Sequence, residues 1–501
     1  MRQAQLINKI RTLKNKKLKI GLCHGVFDLL HYGHLKHFEE AKSICDYLIV
    51  SITADRFVKK GFNRPIHNEN ERKKIIENIE YIDHVIISDF ESGVESIDLI
   101  KPDLYFKGSD YKMIKNDKTK NIILEIQALK KNKGKIFFTD KKHMSSSKII
   151  NSLGLSLTID QKEFIQKIKK KFDINLVLSS IRNLKKNKVI VLGDLIVDRY
   201  IYGHVVGKSS KEPHLVSNYS YKEDYVGGAA AVANHVSDFV NKVTLITDHN
   251  GEKSISKLLK EKLNKNIVGE YLSSGSKNNC SVKTRFIDIL TRYKLFGSYE
   301  LSNLNSEVFR KKLSYRIKKQ VKKNDLIIVA DFSNNFFTDQ DFSEIKKARN
   351  FKCGMVQKNS NNSSSYNLKN LSNFNLICIN EGELRSEIKD TTSEITKLAK
   401  SLIAKMKLDF LLITRGSSGI VLVDNKNKVF YCPAFNLQPV DKIGAGDSIL
   451  AVISILLSNK IDPNIALLIS SIVSSFVVDN LGNKYVARKF DIERSLEYIF
   501  K

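Results

Sequence analysis

Two stretches place chemistry-bearing residues where backbone amides are free. The first is His24-Gly-Val-Phe-Asp-Leu-Leu-His31-Tyr-Gly-His34. It follows the apolar run Leu18–Cys23, which reads as a buried strand, and precedes Leu35–Ile44, which reads as an amphipathic helix. A strand–turn–helix junction offers unpaired N–H groups and the positive end of a helix dipole. His31 and His34 add two imidazoles there, and converging donors suit a transition state in which charge builds on a phosphate being displaced. The second stretch is Asp441-Lys-Ile-Gly444-Ala-Gly446-Asp447-Ser. Its two glycines let the backbone approach an anion, and the helix expected over 448–457 would present N–H groups to it. Asp447 is then placed to take a proton from a hydroxyl, as a general base.

A third candidate, Ser145-Ser146-Ser147, combines hydroxyl donors and N-cap preference with a following apolar helix pattern. His31, His34 and His37 could also be read as zinc ligands, but no cysteine or carboxylate stands at supporting spacing. Composition narrows the classes further. With 501 residues, 42% hydrophobic and 27% charged, the chain is expected to fold as two or three globular domains. The net charge of +29 comes from lysines spread along the whole chain, often beside Asn and Ile. No basic motif interleaved with aromatics accompanies them, so they read as solvated faces and no nucleic-acid partner is expected. The stretch Ile465–Val478 is too short and serine-rich to span a bilayer and reads as a core helix. No secretory signal is visible, the six cysteines form no C-x-x-C pair, and a reducing cytoplasm is the expected compartment.

Around these sites, apolar runs at 46–53, 84–88, 103–106 and 135–139 alternate with helical patterns, which predicts a parallel α/β sheet within a domain over 1–150. Lysine-rich helical patterning over 151–186 reads as a connector, and Lys188-Val-Ile-Val-Leu-Gly-Asp194 opens a second α/β domain over 187–501. Ser276–Asn279 and Lys358–Tyr366 read as polar loops.

In the first domain the H-x-G-H is followed by Lys60-Gly61, Arg64-Pro65, Glu71-Arg72, Phe106-Lys107-Gly108-Ser109-Asp110-Tyr111 and Ser145–Ser147, in that order. This succession resembles the cytidylyltransferase-like nucleotidyltransferases, especially their sugar-phosphate branch. The resemblance implies that His31 and His34 contact the nucleotide phosphates and that Lys60 orients the reacting groups. It also implies that Gly25, Phe27, Asp28, Arg64, Lys107, Ser145, Ser146 and Ser147 bind the nucleotide.

The second domain carries Gly193-Asp194, Asp198-Arg199, Gly227-Gly228-Ala-Ala-Ala-Val-Ala-Asn234, Asn380-Glu-Gly-Glu383 and Thr414-Arg-Gly416-Ser-Ser-Gly419 ahead of the Gly444–Asp447 turn. The series resembles the ribokinase-like (PfkB) carbohydrate kinases. It implies Asp447 as base; Gly444, Ala445 and Gly446 as the anion hole; and Asn380 with Glu383 organising Mg²⁺. It further implies Asp194, Asp198, Gly227, Gly228, Asn234 and Arg285 in a sugar pocket, with Thr414, Gly416 and Gly419 beside ATP. Tyr200–Tyr225 and Ser281–Tyr299 would form a small β-lid, whose strands imply a homodimer. The chain departs from the family pattern at Asp331-Phe-Ser-Asn-Asn335, at Val356-Gln-Lys358 and at Lys442, where threonine is usual.

Together these expectations give two three-layer α/β domains with mainly parallel sheets, one Rossmann-like and one ribokinase-like with a β-lid. The second also resembles the heptose-phosphate kinase half of bifunctional ADP-heptose synthases, here with the two halves in reversed order. A kinase that phosphorylates an anomeric hydroxyl makes a sugar 1-phosphate, which a nucleotidyltransferase consumes. The implied reaction is ATP-dependent phosphorylation of a sugar phosphate at O1, followed by transfer of AMP, or alternatively CMP, toward a surface glycan such as lipopolysaccharide. The alternative is a CTP-dependent transferase acting on glycerol- or polyol-phosphate, with the kinase fold as a binding module. Mg²⁺, ATP or CTP and a sugar phosphate are the expected cofactors and partners, with no membrane partner.

Overall fold

The computed structural model describes residues 3–58, 64–90, 92–108, 121–139, 157–184, 188–249, 251–273, 275, 280–302, 304–358, 366–436 and 439–500. The chain divides into two compact units, Met1–Thr158 and Ile159–Lys501.

The first unit is built on strands β1 (Ile20–Gly25), β2 (Tyr47–Thr53), β3 (His84–Ser88), β4 (Leu104–Gly108) and β5 (Lys135–Thr139), in the order β3-β2-β1-β4-β5. All neighbours are parallel. β2 reads Tyr-Leu-Ile-Val-Ser-Ile-Thr with every residue buried, as expected of a strand covered on both faces. An aspartate stands directly before three of these strands and fixes the register. Asp46 accepts from the Lys19 amide at 2.7 Å, Asp83 from Leu48 at 2.7 Å and Asp103 from Ile20 at 2.8 Å. Each satisfies a donor at a strand start that would otherwise lack a partner. Helices α1 (Gln3–Asn15) and α4 (Val94–Ile100) enclose one apolar layer with Leu6, Ile10, Ile97 and Tyr105; α2 (Tyr32–Ile44) and α3 (Glu69–Glu77) enclose the other with Phe38, Ala41, Ile76 and Phe106. The strand order reverses between β1 and β4, so a crevice opens at their C-terminal ends, beside His24-Gly25 and Lys107-Gly108.

The second unit has a nine-stranded sheet: β6 (Lys188–Gly193), β9 (Lys242–Asp248), β10 (Ile267–Leu272), β13 (Leu326–Asp331), β14 (Phe351–Val356), β15 (Leu376–Asn380), β16 (Phe410–Thr414), β17 (Ile420–Asp424) and β18 (Val429–Cys432). Its order is β10-β9-β6-β13-β14-β15-β16-β17-β18, parallel as far as β16 and antiparallel beyond. Helix Ala445–Ser458 packs on the central strands, with residues 447–457 all buried, and helix Pro463–Val478 covers it. Phe309, Leu313, Phe342, Leu398 and Leu402 fill the opposite face. A four-stranded lid, ordered β12-β11-β7-β8, is formed by β7 (Leu195–Lys208), β8 (Leu215–Gly228), β11 (Ser281–Asp288) and β12 (Lys294–Glu300). The stretches read from sequence as lid strands thus pair with one another.

The lysine-rich segment expected as a connector contains helices Ile159–Lys171 and Ile174–Arg182, and these pack on the second unit. Gln161 donates to the Ala434 carbonyl at 2.6 Å, and Arg182 pairs with Glu493 at 2.6 Å. The expected loop Ser276–Asn279 and residues 359–365 lie outside the described residues. All six cysteines are buried and free, and among the described residues no helix is long and apolar enough to cross a membrane.

β6 ends at Gly193, whose φ of +149° and position against β13 leave no room for a side chain: an added Cβ would lie 1.9 Å from the Ala330 carbonyl oxygen. Gly193→Ala must push the two central strands apart just before Asp194. It is expected to destabilise the second unit by about 1–3 kcal/mol, read as a lower urea midpoint, while the first unit unfolds as in the wild type.

Candidate active sites

In the first unit the chain leaves β1 through a left-handed Phe27 (φ 47°) and reaches α2 at His31, which is extended at φ −146° and ψ 169°. The loop between them is pinned by Asp28. Its carboxylate accepts from the Arg64 guanidinium and, at 2.6 Å, from the Ile66 amide, with both side chains sealed from solvent. Arg72, also buried, donates to the Val26 carbonyl at 2.5 Å and to Thr53 at 2.9 Å, tying the β1 exit to α3. The His31 and His34 rings stack with centroids 3.9 Å apart and 16° between planes, and Phe27 meets His34 edge-on at 5.5 Å. Two imidazoles therefore stand side by side at the start of α2, where the His34 amide donates to the His31 carbonyl at 2.8 Å.

Two other histidines here, His24 and His37, are buried and held by hydroxyl partners. His24 bonds to Ser51 Oγ at 3.1 Å, and burial, helped by Lys107, lowers its pKa to about 3. His37 bonds to Thr139 Oγ1 at 2.7 Å, and the same two causes lower it to about 4. No group of three or more potential metal ligands occurs among the described residues. Lys107, at the end of β4, pairs at 2.9 Å with buried Glu125, which also accepts from the Gly93 amide at 3.1 Å. Glu125 is a partner that the sequence reading missed. Gly25 closes β1 directly beneath the Phe27 ring. Lys60, Ser145, Ser146 and Ser147 lie outside the described residues.

In the second unit, the Gly444–Asp447 turn separates two cavities. One, of about 270 Å³, is lined by Asp198, Gly228, Lys283, Arg285, Asn380, Glu383, Gly444 and Asp447. The other, of about 550 Å³, is lined by Thr414, Gly416, Gly419, Ala445 and Gly446, with Ser471 and Ser475 beyond. Gln357, Asn380, Thr414, Lys442 and Gly446 belong to both walls, so the cavities adjoin. Gly444 caps the helix at φ +82°, and a Cβ there would collide with the Asn483 amide at 2.0 Å. Asp441 shapes the turn. Its carboxylate accepts from Lys294 at 2.6 Å and from Tyr200, the Gly482 amide and the Ile443 amide at 3.1 Å each. These donors hold its pKa below the usual carboxylate value against the opposing effect of burial.

Asp447, 9% exposed, sits in the first turn of helix Ala445–Ser458. Burial, then the nearby Asp198 charge, raises its pKa to about 7, with Lys283 opposing. Such a group can take up a proton near neutral pH. Asp198 accepts from Arg285 at 2.7 Å and from Asn483 at 3.0 Å. Lys283 stands two residues before Arg285 on β11, hence on the same face, and burial lowers its pKa. The sequence reading missed Lys283 and Asn483; the period-two spacing from Arg285 was a usable signal for the first.

Of the expected sugar-pocket residues, Asn234, Asp194 and Gly227 are not among those lining the cavity, although Gly227 backs directly onto the Asp198 carboxylate. Asn234 spends its amide on the loop after helix Lys253–Lys262, donating to the Lys262 carbonyl at 2.9 Å and accepting from the Asn264 amide at 3.1 Å. Asp194 is fully buried and accepts from the Phe332 amide at 2.9 Å, near Asp331 and Asp248; burial is the main cause raising all three carboxyls. Gly227 lies in the β7–β8 ladder opposite Ile196. Asn380 and Glu383 form a capping box: Asn380 Oδ1 accepts from the Glu383 amide at 2.8 Å and Glu383 accepts from the Asn380 amide at 3.1 Å.

Two parallel-sheet units, each offering a polyanion the start of a helix, define a pair of phosphate-handling α/β folds joined in one chain. Residues 186–487 match the pfkB family carbohydrate kinases, to which this chain therefore belongs, and residues 22–152 match the cytidylyltransferase-like family. Among curated proteins, the Bifunctional protein HldE of Aliarcobacter butzleri is 46% identical over 101 residues, 20% of this chain and 21% of the relative. That of Hyphomonas neptunium is 38% identical over 108 residues, 21% of this chain and 22% of the relative. The chain thus aligns with about a fifth of the length of these relatives. Among solved structures, phosphofructokinase-2 from Escherichia coli, in complex with substrates and products, superposes with a TM-score of 0.51 at 14% identity, covering 63% of this chain and all of that one. This likeness shows the ribokinase-like fold of the second unit.

The raised pKa of Asp447 has a consequence for stability. Folding favours its protonated form, so this group's contribution to stability is fully present below its unfolded value of 3.8 and is lost as pH rises through about 7. The loss is on the order of 4 kcal/mol, from about three pKa units. Asp447→Asn, which cannot ionise, is expected to melt higher than the wild type near pH 8, with the difference vanishing near pH 4. Calorimetry at the two pH values reads it.

Proposed function

We propose that the chain makes a nucleotide-activated sugar in two steps. In the first, the second unit phosphorylates a sugar phosphate at O1 with ATP. The acceptor oxygen attacks the γ-phosphorus, its proton passes to Asp447, the bond to the β–γ bridging oxygen breaks, and ADP leaves. The observation that carries this reading is the position of Asp447, buried at a helix start on the wall of a cavity that adjoins a second one across a glycine turn. The larger cavity suits the nucleotide and the smaller one the acceptor. Lys283 and Arg285 on the acceptor side favour an anionic sugar, and a heptose 7-phosphate is the acceptor proposed.

The divalent ion fits Asn380 and Glu383. Their oxygens each accept a backbone N–H in the capping box and keep further lone pairs, and both residues line the acceptor cavity. Held there, Mg²⁺ would neutralise phosphate charge. In the second step, the first unit transfers AMP to the sugar 1-phosphate. A phosphate oxygen of the sugar attacks the α-phosphorus of ATP and pyrophosphate leaves, while His31 and His34 with the first amides of α2 meet the growing charge. Lys107, held by Glu125, adds a fixed cation at the crevice. The stacking of His31 on His34 supports this role, and the overlap with HldE proteins supports the heptose reading.

The two steps separate by mutation. Asp447→Asn should slow ADP formation from ATP and heptose 7-phosphate by about 10³-fold. It should leave pyrophosphate release from supplied heptose 1,7-bisphosphate unchanged. His34→Ala should slow pyrophosphate release by about 10²-fold and spare phosphorylation. A kinase rate that survives Asp447→Asn would refute the first step.

A further inference from the structure

Where the two cavities of the second unit meet, a phosphoryl group would have to cross. Five residues line both walls, and of these only Lys442 carries charge. Its root is fixed on both sides. The Asp441 amide donates to the Val478 carbonyl at 3.1 Å, the Asp441 carboxylate accepts from the Ile443 amide at 3.1 Å, and Gly444 begins the helix turn. Its side chain is exposed, and among the described residues its ammonium makes no hydrogen bond or ion pair. Of the other cations of the site, Arg285 is committed to Asp198 and Lys294 to Asp441, while Lys283 is buried and lines the smaller cavity alone, away from the seam. The seam therefore holds one uncommitted positive charge on a rigid base, next to the amides of the Gly444–Gly446 turn.

We infer that Lys442 is a catalytic residue of the kinase step, holding the equatorial oxygens of the γ-phosphoryl group as it passes from ADP to the acceptor. This inference rests on the kinase reading proposed above. The proton still goes to Asp447 and the electron pair of the breaking bond to ADP; Lys442 remains protonated throughout and exchanges neither. A cation placed where negative charge spreads in flight lowers the barrier more than it tightens ground-state binding.

The test compares wild type, Lys442→Met and Lys442→Arg. With ATP and heptose 7-phosphate, Lys442→Met should lower kcat by about 10²-fold and Lys442→Arg should recover most of it. KM for ATP should stay within about threefold. By titration calorimetry, ADP alone should bind all three proteins equally. ADP with beryllium fluoride, which mimics the γ-phosphoryl group, should bind Lys442→Met about tenfold more weakly. Unchanged kcat, a rise in KM alone, or equal affinity for the fluoride complex would overturn the assignment. A wild-type chain that binds ADP yet phosphorylates no acceptor would instead refute the kinase reading, and the fluoride comparison would still judge Lys442.

Discussion

A loop that must meet a polyanion has to be rigid before the anion arrives, and in each unit a buried aspartate supplies that rigidity. Asp28 is 1% exposed and Asp441 3% exposed. Each takes its donors from segments remote in sequence: Arg64 and Ile66 for the first, Tyr200, Lys294 and Gly482 for the second. Neither carboxylate is free to meet substrate. Each instead fixes the chain on the approach to a helix, so that the first-turn amides face one direction. A buried charge is tolerated when fully paired, and here the pairing itself shapes the approach to each helix. Removing either carboxylate would leave an unpaired buried cation or amide and a loosened helix start together.

The same economy of charge sets the acid–base character of the second unit. Asp447 and Asp198 face one cavity with Lys283 and Arg285. Burial, and then the Asp198 charge, lift the Asp447 pKa toward neutrality, while Arg285 commits to Asp198. An acceptor hydroxyl reaching this wall would find a carboxylate able to take a proton, and an anionic acceptor would find Lys283. The lid strand carrying Lys294 also completes the shell of Asp441, so the lid touches the anchor of the glycine turn.

Much of this was legible in the sequence because local chemistry decided it. The alternation of apolar runs placed the first unit's strands to within two or three residues. The H-x-G-H and G-A-G-D spacings located both helix starts to within three residues. The details missed are those in which polar side chains disguise a helix. α2 begins at Tyr32 and not Leu35, because His34 occupies its first turn, and the helix after the glycine turn takes in Asp447 itself. What could not be read was long-range pairing. Glu125 reaches Lys107 from the next helix, Asn483 reaches Asp198 across the unit, and Asn234, which looks like a ligand in its glycine- and alanine-rich context, ties down a loop. Such contacts depend on tertiary packing, which no local spacing encodes.

One chain is proposed to carry a sugar phosphate through both phosphorylation and nucleotidyl transfer. The decisive experiment incubates the purified protein with heptose 7-phosphate and either ATP alone or ATP with CTP, and reads the products by mass spectrometry. ADP, pyrophosphate and a nucleoside diphosphate sugar carrying adenine are expected to form from ATP alone. Accumulation of a nucleotide sugar only when a ready-made sugar 1-phosphate is supplied, or none under any condition, would contradict this.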